Sequence, residues 1–261
     1  MGSTRVISIV SGKGGVGKTT LSINLAYVLA NNFEKNVLLI DANITTSHLG
    51  LSLGITSPRY TLNKILKTKN LFFEPENYKN VSLILSAISP HQLKGVNIKR
   101  IKELIRKIER SKLYDFVLLD SAPGLGREAI SVLEASKEII FITNPLTPAA
   151  IDIIRVSEMA GNLGIHSIGL VLNMVRNKPF ELSAFEIERF TNIPVIASIP
   201  FDRKILTSLA LKKPVVEIFP NAKVSKEIVN LGGVITGESP RVEKGESMIE
   251  KIKKLFSIRI F

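Results

Sequence analysis

A chain of 261 residues, 45% of them hydrophobic, is long enough to bury the core of one large α/β domain. No apolar run reaches the roughly 18 residues of a membrane span, the absence of cysteine excludes disulfides and thiolate-held iron–sulfur clusters, and the first apolar strand begins too early for a secretory signal. With 35 basic and 23 acidic residues the formal charge is +12, which implies an anionic partner, a membrane surface or nucleic acid, although any single lysine cluster is explained as well by a solvated helix face.

The apolar run Val6–Val10 predicts a first strand, and a helical pattern spans Thr19–Phe33. Between them lies Ser11-Gly12-Lys13-Gly14-Gly15-Val16-Gly17-Lys18-Thr19-Thr20. Gly12, Gly17, Lys18 and Thr19 satisfy G-x-x-x-x-G-K-[ST] in the strand-loop-helix setting that a phosphate-binding loop requires. Glycines let backbone N–H groups turn inward around an oligophosphate, and the helix N-terminus adds partial positive charge. Lys18 would neutralise the β- and γ-phosphates, and the Thr19 hydroxyl would ligate Mg²⁺. A plain glycine-rich turn leaves the glycines at 12, 14, 15 and 17 without a purpose.

Further strands are predicted at Val37–Ile40, Val81–Leu85, Phe116–Leu119, Ile139–Thr143, Ile168–Leu172 and Val195–Ile199. Helical patterns fall at Ile98–Ser111, Arg127–Ser136, Pro148–Leu163, Ala184–Thr191, Arg203–Leu211 and Val224–Val234. This alternation predicts a doubly wound, mainly parallel sheet with helices on both faces. In Ile98–Ser111 the apolar residues form one stripe, and the basic residues from Lys99 to Lys112 face solvent. Gly232-Gly233 and Gly237–Pro240 are expected to break the last core helix. The domain reading is therefore 1–237 as the body, 238–246 as a linker and 247–261 as a separate helix.

Parallel sheets place ligands at the carboxyl ends of their strands, so polar residues there are site candidates. Asp41 closes the second strand and opens Asp41-Ala42-Asn43; Asn43 is otherwise an ordinary loop residue. Asp120 ends Phe116–Leu119 and opens Asp120-Ser121-Ala122-Pro123-Gly124; its alternative role is a helix cap. Thr147 is expected as an N-cap with Pro148 at the first helical position, and Asp152 follows within that helix. Asn173 ends Ile168–Leu172, and Pro200-Phe201-Asp202 follows the last strand.

The string Lys13–Thr20, K-G-G-V-G-K-T-T, resembles the deviant Walker A motif of the MinD/ParA family of ATPases, and the resemblance extends over about residues 5–236. It implies a P-loop fold in which two subunits sandwich two ATP molecules. Lys13 would then cross to the partner's phosphates, much as an arginine finger does, acting in dimerisation and catalysis. The backbone of Gly12–Thr20, including Gly14, Gly15 and Val16, would cradle the triphosphate. Thr19, Asp120 and Asp41 would serve the Mg²⁺ ion. The family carries a second aspartate in switch I where this chain has Asn43, which holds a water but cannot accept its proton. The resemblance thus implies slow turnover, or a nearly non-hydrolysing ATP-gated scaffold. In switch II the proline sits one place later than the family's commonest form, while Gly124 keeps its spacing. Asp152 would lie at the dimer interface and assist activated turnover, although an acid near a helix start also suits the helix dipole. Asn173 would recognise adenine, with Pro200 and Asp202 framing the ring.

In Ser247–Phe261, Met248, Ile249, Ile252, Leu255, Phe256 and Ile260 fall largely on one helical face, flanked by Lys251, Lys253 and Lys254. Such a helix reads as an interfacial membrane anchor, and it resembles the membrane-targeting helix of the MinD branch; the alternative is a last helix packed on the body. The expected function is a homodimeric, ATP-switched ATPase, cytoplasmic and peripheral on the inner face of the cell membrane. It would position a division site or another assembly through an activating partner. The alternative is a ParA-like segregation ATPase that binds DNA nonspecifically.

Overall fold

Eight strands, all but one parallel, are joined in a single sheet in a computed structural model that describes residues 3–240. They are β1 (Arg5–Val10), β2 (Val37–Asp41), β3 (Glu76–Tyr78), β4 (Val81–Ile84), β5 (Phe116–Asp120), β6 (Glu138–Thr143), β7 (His166–Val175) and β8 (Val195–Pro200). Their order is β3-β4-β2-β5-β1-β6-β7-β8, with β3 antiparallel at one edge. From β1 the chain builds β2 to β5 on one side, β5 returning to lie beside β1, and then crosses to β6, β7 and β8 on the other, so β1 marks the switch point at which such sheets bind ligands.

The strands are apolar along their length because both faces are covered. Ile7 and Ile9 face one layer, built of α1 (Lys18–Asn31), α2 (Leu49–Ser52), α9 (Val215–Ile218) and α10 (Lys223–Thr236). Residues of opposite parity, such as Val6, Leu38 and Val117, face α3 (Leu62–Lys67), α4 (Ile101–Ser111) and α5 (Arg127–Ala135). Near β6 and β7 this second layer continues with α6 (Thr147–Asn162) and α7 (Ala184–Thr191), while α8 (Lys204–Ala210) follows β8.

The doubly wound reading therefore holds, with several local differences. Strand β3 and helices α2, α3 and α9 are additional elements of three to six residues. Gly232 and Gly233 do not break the last helix; both lie inside α10, and Gly237 ends it in the left-handed conformation. A Cβ on Gly232 would stand 2.6 Å from the Phe33 ring, so this glycine permits α10 to lie close against the end of α1. Helix α6 begins one residue earlier than expected, with Leu146 rather than Thr147 at the cap position. In α4 the apolar stripe is buried as expected. Arg100 and Lys107 are not merely solvated, because they donate to backbone carbonyls at Leu66, Thr68 and Lys69 and at Asn70 and Leu71. These cations satisfy acceptors after the short α3. The expected linker beyond Pro240 and the anchor helix 247–261 lie outside the described residues.

Candidate functional site

The loop between β1 and α1 closes over the carboxyl end of the sheet because its glycines permit contacts that a side chain would block. Gly17 has φ 91°, and a Cβ there would stand 2.4 Å from Asn173 Nδ2. A Cβ on Gly12 would meet Asp152 at 2.3 Å, so α6 presses directly on the start of the loop. Gly14 and Gly15 are exposed and have no neighbour within 4 Å of an added Cβ, which leaves backbone N–H groups open to a ligand. Val16 is buried and anchors the far side.

Asp120, at the end of β5, is the hub. Its Oδ2 accepts from the Thr19 hydroxyl at 2.6 Å, and Lys18 Nζ lies 3.5 Å from Oδ1. Ser22 Oγ stands 3.1 Å from the same Oδ1 and 3.0 Å from the Lys18 carbonyl, with one proton to share. The helix-cap alternative for Asp120 is thereby excluded. Asp41 lies beside it, because β2 and β5 pair in a register that sets Asp41 opposite Asp120. Burial, and then the charge of Asp120, pushes the Asp41 carboxyl up to about 7. Its oxygens accept from Ser47 Oγ at 2.5 Å and from the Asn43 N–H at 3.2 Å. Lys18 brings one positive charge to two buried carboxylates, so this donor set, with the Thr19 hydroxyl, suits a divalent cation.

Asn43 is turned toward its own loop. Its Nδ2 donates to the Thr46 carbonyl at 3.0 Å, and its Oδ1 accepts from the Thr46 hydroxyl at 3.0 Å and N–H at 3.3 Å. The same loop reaches α5 through a hydrogen bond from the Thr45 hydroxyl to Glu128. In the following loop, the Gly124 N–H donates to the Ser11 carbonyl at 2.9 Å, tying it to the start of the phosphate loop.

Lys13 has no hydrogen-bond or ion-pair partner for its ammonium among the described residues. Asp152 is half-buried, its closest ionic neighbour being Arg155 at 3.8 Å. On the other flank of the loop an apolar pocket is lined by Thr20, Asn173, Met174, Pro200, Phe201 and Asp202. A register shift between Leu172 and Val175, with Met174 at φ 61°, lets successive residues Asn173 and Met174 both line it, where a regular strand would alternate them. Asn173 Nδ2 donates to the Val16 carbonyl at 2.8 Å, so its amide also braces the phosphate loop. Asp202 accepts from the Lys204 N–H at 2.9 Å and holds the first turn of α8. Arg176 stacks 4.0 Å above the Phe201 ring at the pocket's edge.

The fold thus gathers Lys18, Thr19, Asp41 and Asp120 at one point, Asn173, Pro200 and Asp202 beside it, and Asp152 behind Gly12. Ser22, Ser47, Thr45 and Glu128 escaped sequence reasoning. Ser22 lies one helical turn after Lys18 and Ser47 six residues after Asp41, while Thr45 and Glu128 meet across 83 residues of sequence.

A model of the ParA family, described as NUBPL iron-transfer P-loop NTPase, matches residues 2–235. Iron held by thiolates has no ligands here, since the chain contains no cysteine. The sequence is 30% identical over 259 residues to an uncharacterised ATP-binding protein of Methanocaldococcus jannaschii, with 97% of each chain covered. It is likewise 30% identical over 278 residues to the septum site-determining protein MinD of Thermotoga maritima, again covering 97% of each. Among solved structures, MinD of Pyrococcus horikoshii complexed with Mg-ADP matches with a TM-score of 0.82 at 28% identity, over 89% of this chain and 96% of that one. The cell division ATPase MinD of Pyrococcus furiosus matches with a TM-score of 0.83 at 29% identity, over 89% and 98%.

Proposed function

This chain belongs to the MinD/ParA family of P-loop ATPases, and within it we propose a MinD-like ATPase that dimerises around two ATP molecules and attaches reversibly to a membrane. The observation that carries the nucleotide chemistry is Asp120 held at once by Lys18 and Thr19 at the mouth of a glycine-rich loop. The triphosphate lies along the backbone of Gly12–Thr20. Lys18 exchanges Asp120 for the β- and γ-phosphate oxygens, and Thr19 and Asp120, with Asp41 behind them, hold Mg²⁺. When bound, the ion would supply positive charge to the phosphates. Adenine enters the apolar pocket, where the second N–H and the Oδ1 of Asn173 match its edge and Pro200 and Asp202 frame it.

Lys13, whose ammonium has no partner among the described residues, serves the partner subunit's phosphates, and Asp152 stands beside that junction. Turnover is slow, because Asn43 accepts no proton and its amide is engaged with Thr46. Residues 247–261 form the anchor. Apolar burial of one such helix is nearly offset by the cost of ordering it, so one copy binds weakly and two on a dimer bind by avidity. ATP then switches attachment on at the inner membrane face, and hydrolysis, stimulated by an activator, releases it. The task would be to position a division site or another assembly.

The charge of +12 favours a second reading, a ParA-like ATPase whose partner is DNA. Co-sedimentation with anionic vesicles in ATP or ADP, using the intact chain and one ending at Glu246, separates the two. ATP-dependent pelleting that is lost with the tail supports the first reading. Failure to pellet, with salt-sensitive retention of duplex DNA, supports the second. Phosphate release in the same tubes reports the turnover that Asn43 permits.

A further inference from the structure

The sheet edge opposite the phosphate loop carries a second cluster of charge. There a shallow pocket is lined by Thr4, Arg106, Arg110, Lys112 and Lys137, with Glu109 as its only acid. Lys137 is matched by Glu109 at 2.6 Å. Arg106, Arg110 and Lys112 have no side-chain hydrogen-bond or ion-pair partner among the described residues. Several acids near this edge are already engaged. Glu138 is gripped by Arg5 at 2.7 Å, Glu238 by Lys35 at 2.6 Å, and Asp115 accepts from the Asn36 N–H at 2.8 Å. Next to Lys112, at the tip of the turn between α4 and β5, Leu113 is 67% exposed.

The same edge is where the described chain ends. Arg5 also donates to the Ile235 carbonyl at 2.5 Å, drawing the end of α10 to the start of β1. The Lys35–Glu238 pair then pins residue 238 beside the start of β2. The sequence beyond Pro240, with its basic and apolar residues, therefore continues from the edge that bears the three free cations.

We infer that this edge is a membrane-contact surface, with Arg106, Arg110 and Lys112 against anionic lipid headgroups and Leu113 at the acyl boundary. The inference rests on the reading of 247–261 as a membrane anchor and adds a contribution from the body of the protein. An exposed leucine among unpaired cations suits a surface that is charged outside and apolar just beneath; a nucleic-acid backbone offers that leucine nothing. The strands between this edge and the phosphate loop are five or six residues long, on the order of 17–20 Å, so lipid contact leaves the nucleotide site clear.

The test uses the full chain with Mg-ATP and vesicles of equal parts phosphatidylglycerol and phosphatidylcholine. The variant R106A/R110A/K112A should need about 10–100-fold more lipid for half-pelleting, and L113N several-fold more, with unchanged ATP hydrolysis in the absence of lipid. Pelleting of the triple variant equal to that of the parent overturns the contact surface and leaves the anchor intact. Absence of pelleting by the parent overturns both. Loss of duplex-DNA retention by the triple variant with unchanged pelleting reassigns the patch to nucleic acid and overturns the inference. A chain ending at Glu246 that pellets like the parent retires the anchor and, with it, the inference that rests on it.

Discussion

Asp41 and Asp120 set the electrostatic problem that the site must solve. They stand side by side on adjacent strands, both almost wholly buried, with Lys18 as their nearby cation. An acid raised from 3.8 to about 7 binds its proton more tightly in the folded chain than in the unfolded one. Its contribution to stability is therefore full below about pH 4 and is lost as pH rises to about 7. In a Mg²⁺-free buffer, Tm should fall across that window, and Asp41→Asn should flatten the fall; identical slopes in the two proteins would refute the assignment. Asn43 gives a second residue-scale prediction. In Asn43→Asp a carboxylate faces the Thr46 carbonyl where an N–H now donates, at a cost of about 1–3 kcal/mol of stability. Turnover should nevertheless rise at least about tenfold as a proton acceptor returns. A destabilised variant with parental turnover would show that residue 43 serves the loop alone. The phosphate loop was legible in the sequence because its residues are contiguous, and Gly12 and Gly17 have a steric reason in the contacts they permit. The orientation of Asn43 was not, because Thr46 competes for its amide and no pattern of residue types records which partner wins. Glu128 was hidden because its partner Thr45 lies 83 residues away in sequence.

Among elements, legibility followed length and burial. The seven apolar strands were recognisable because parallel strands buried on both faces read as continuous runs. Strand β3, Glu76-Asn77-Tyr78, was missed: it is short, antiparallel and polar, and it sits at the sheet edge. Helices α2, α3 and α9 are too short to show a helical period. The glycine pair in α10 misled in an instructive way, since a glycine signals close approach as readily as a break. Gly232 faces Phe33 and Val28 at 2.6 and 2.8 Å from a built Cβ. Gly232→Val should therefore lose about 1–3 kcal/mol, seen as a Tm drop of several degrees. Gly161 in α6 has nothing within 4 Å, so Gly161→Ala should be neutral or raise stability by up to about 1 kcal/mol. Equal effects at the two positions would mean that α1 and α10 are not packed as described.

For the whole molecule, the nucleotide site and the exit of the chain toward 241–261 lie at opposite edges of one sheet. Nucleotide chemistry could therefore govern the proposed attachment only through something larger than either edge, for which association of subunits is the natural coupling. Among the described residues no helix is long and apolar enough to cross a membrane. The charge of +12 raised the expectation of an anionic partner, but composition could not choose between lipid and nucleic acid. That choice depends on where the free cations sit, which only the fold supplies. The central claim is an ATP-dependent dimer, and sedimentation velocity tests it most directly, on the parent and on Lys13→Ala, each with Mg-ATP and with Mg-ADP. The account predicts twice the 28.7 kDa chain mass for the parent in ATP alone, and a monomer for the parent in ADP and for Lys13→Ala in either nucleotide. A parent that stays at 28.7 kDa in saturating ATP, or a Lys13→Ala protein that dimerises as well as the parent, would contradict it.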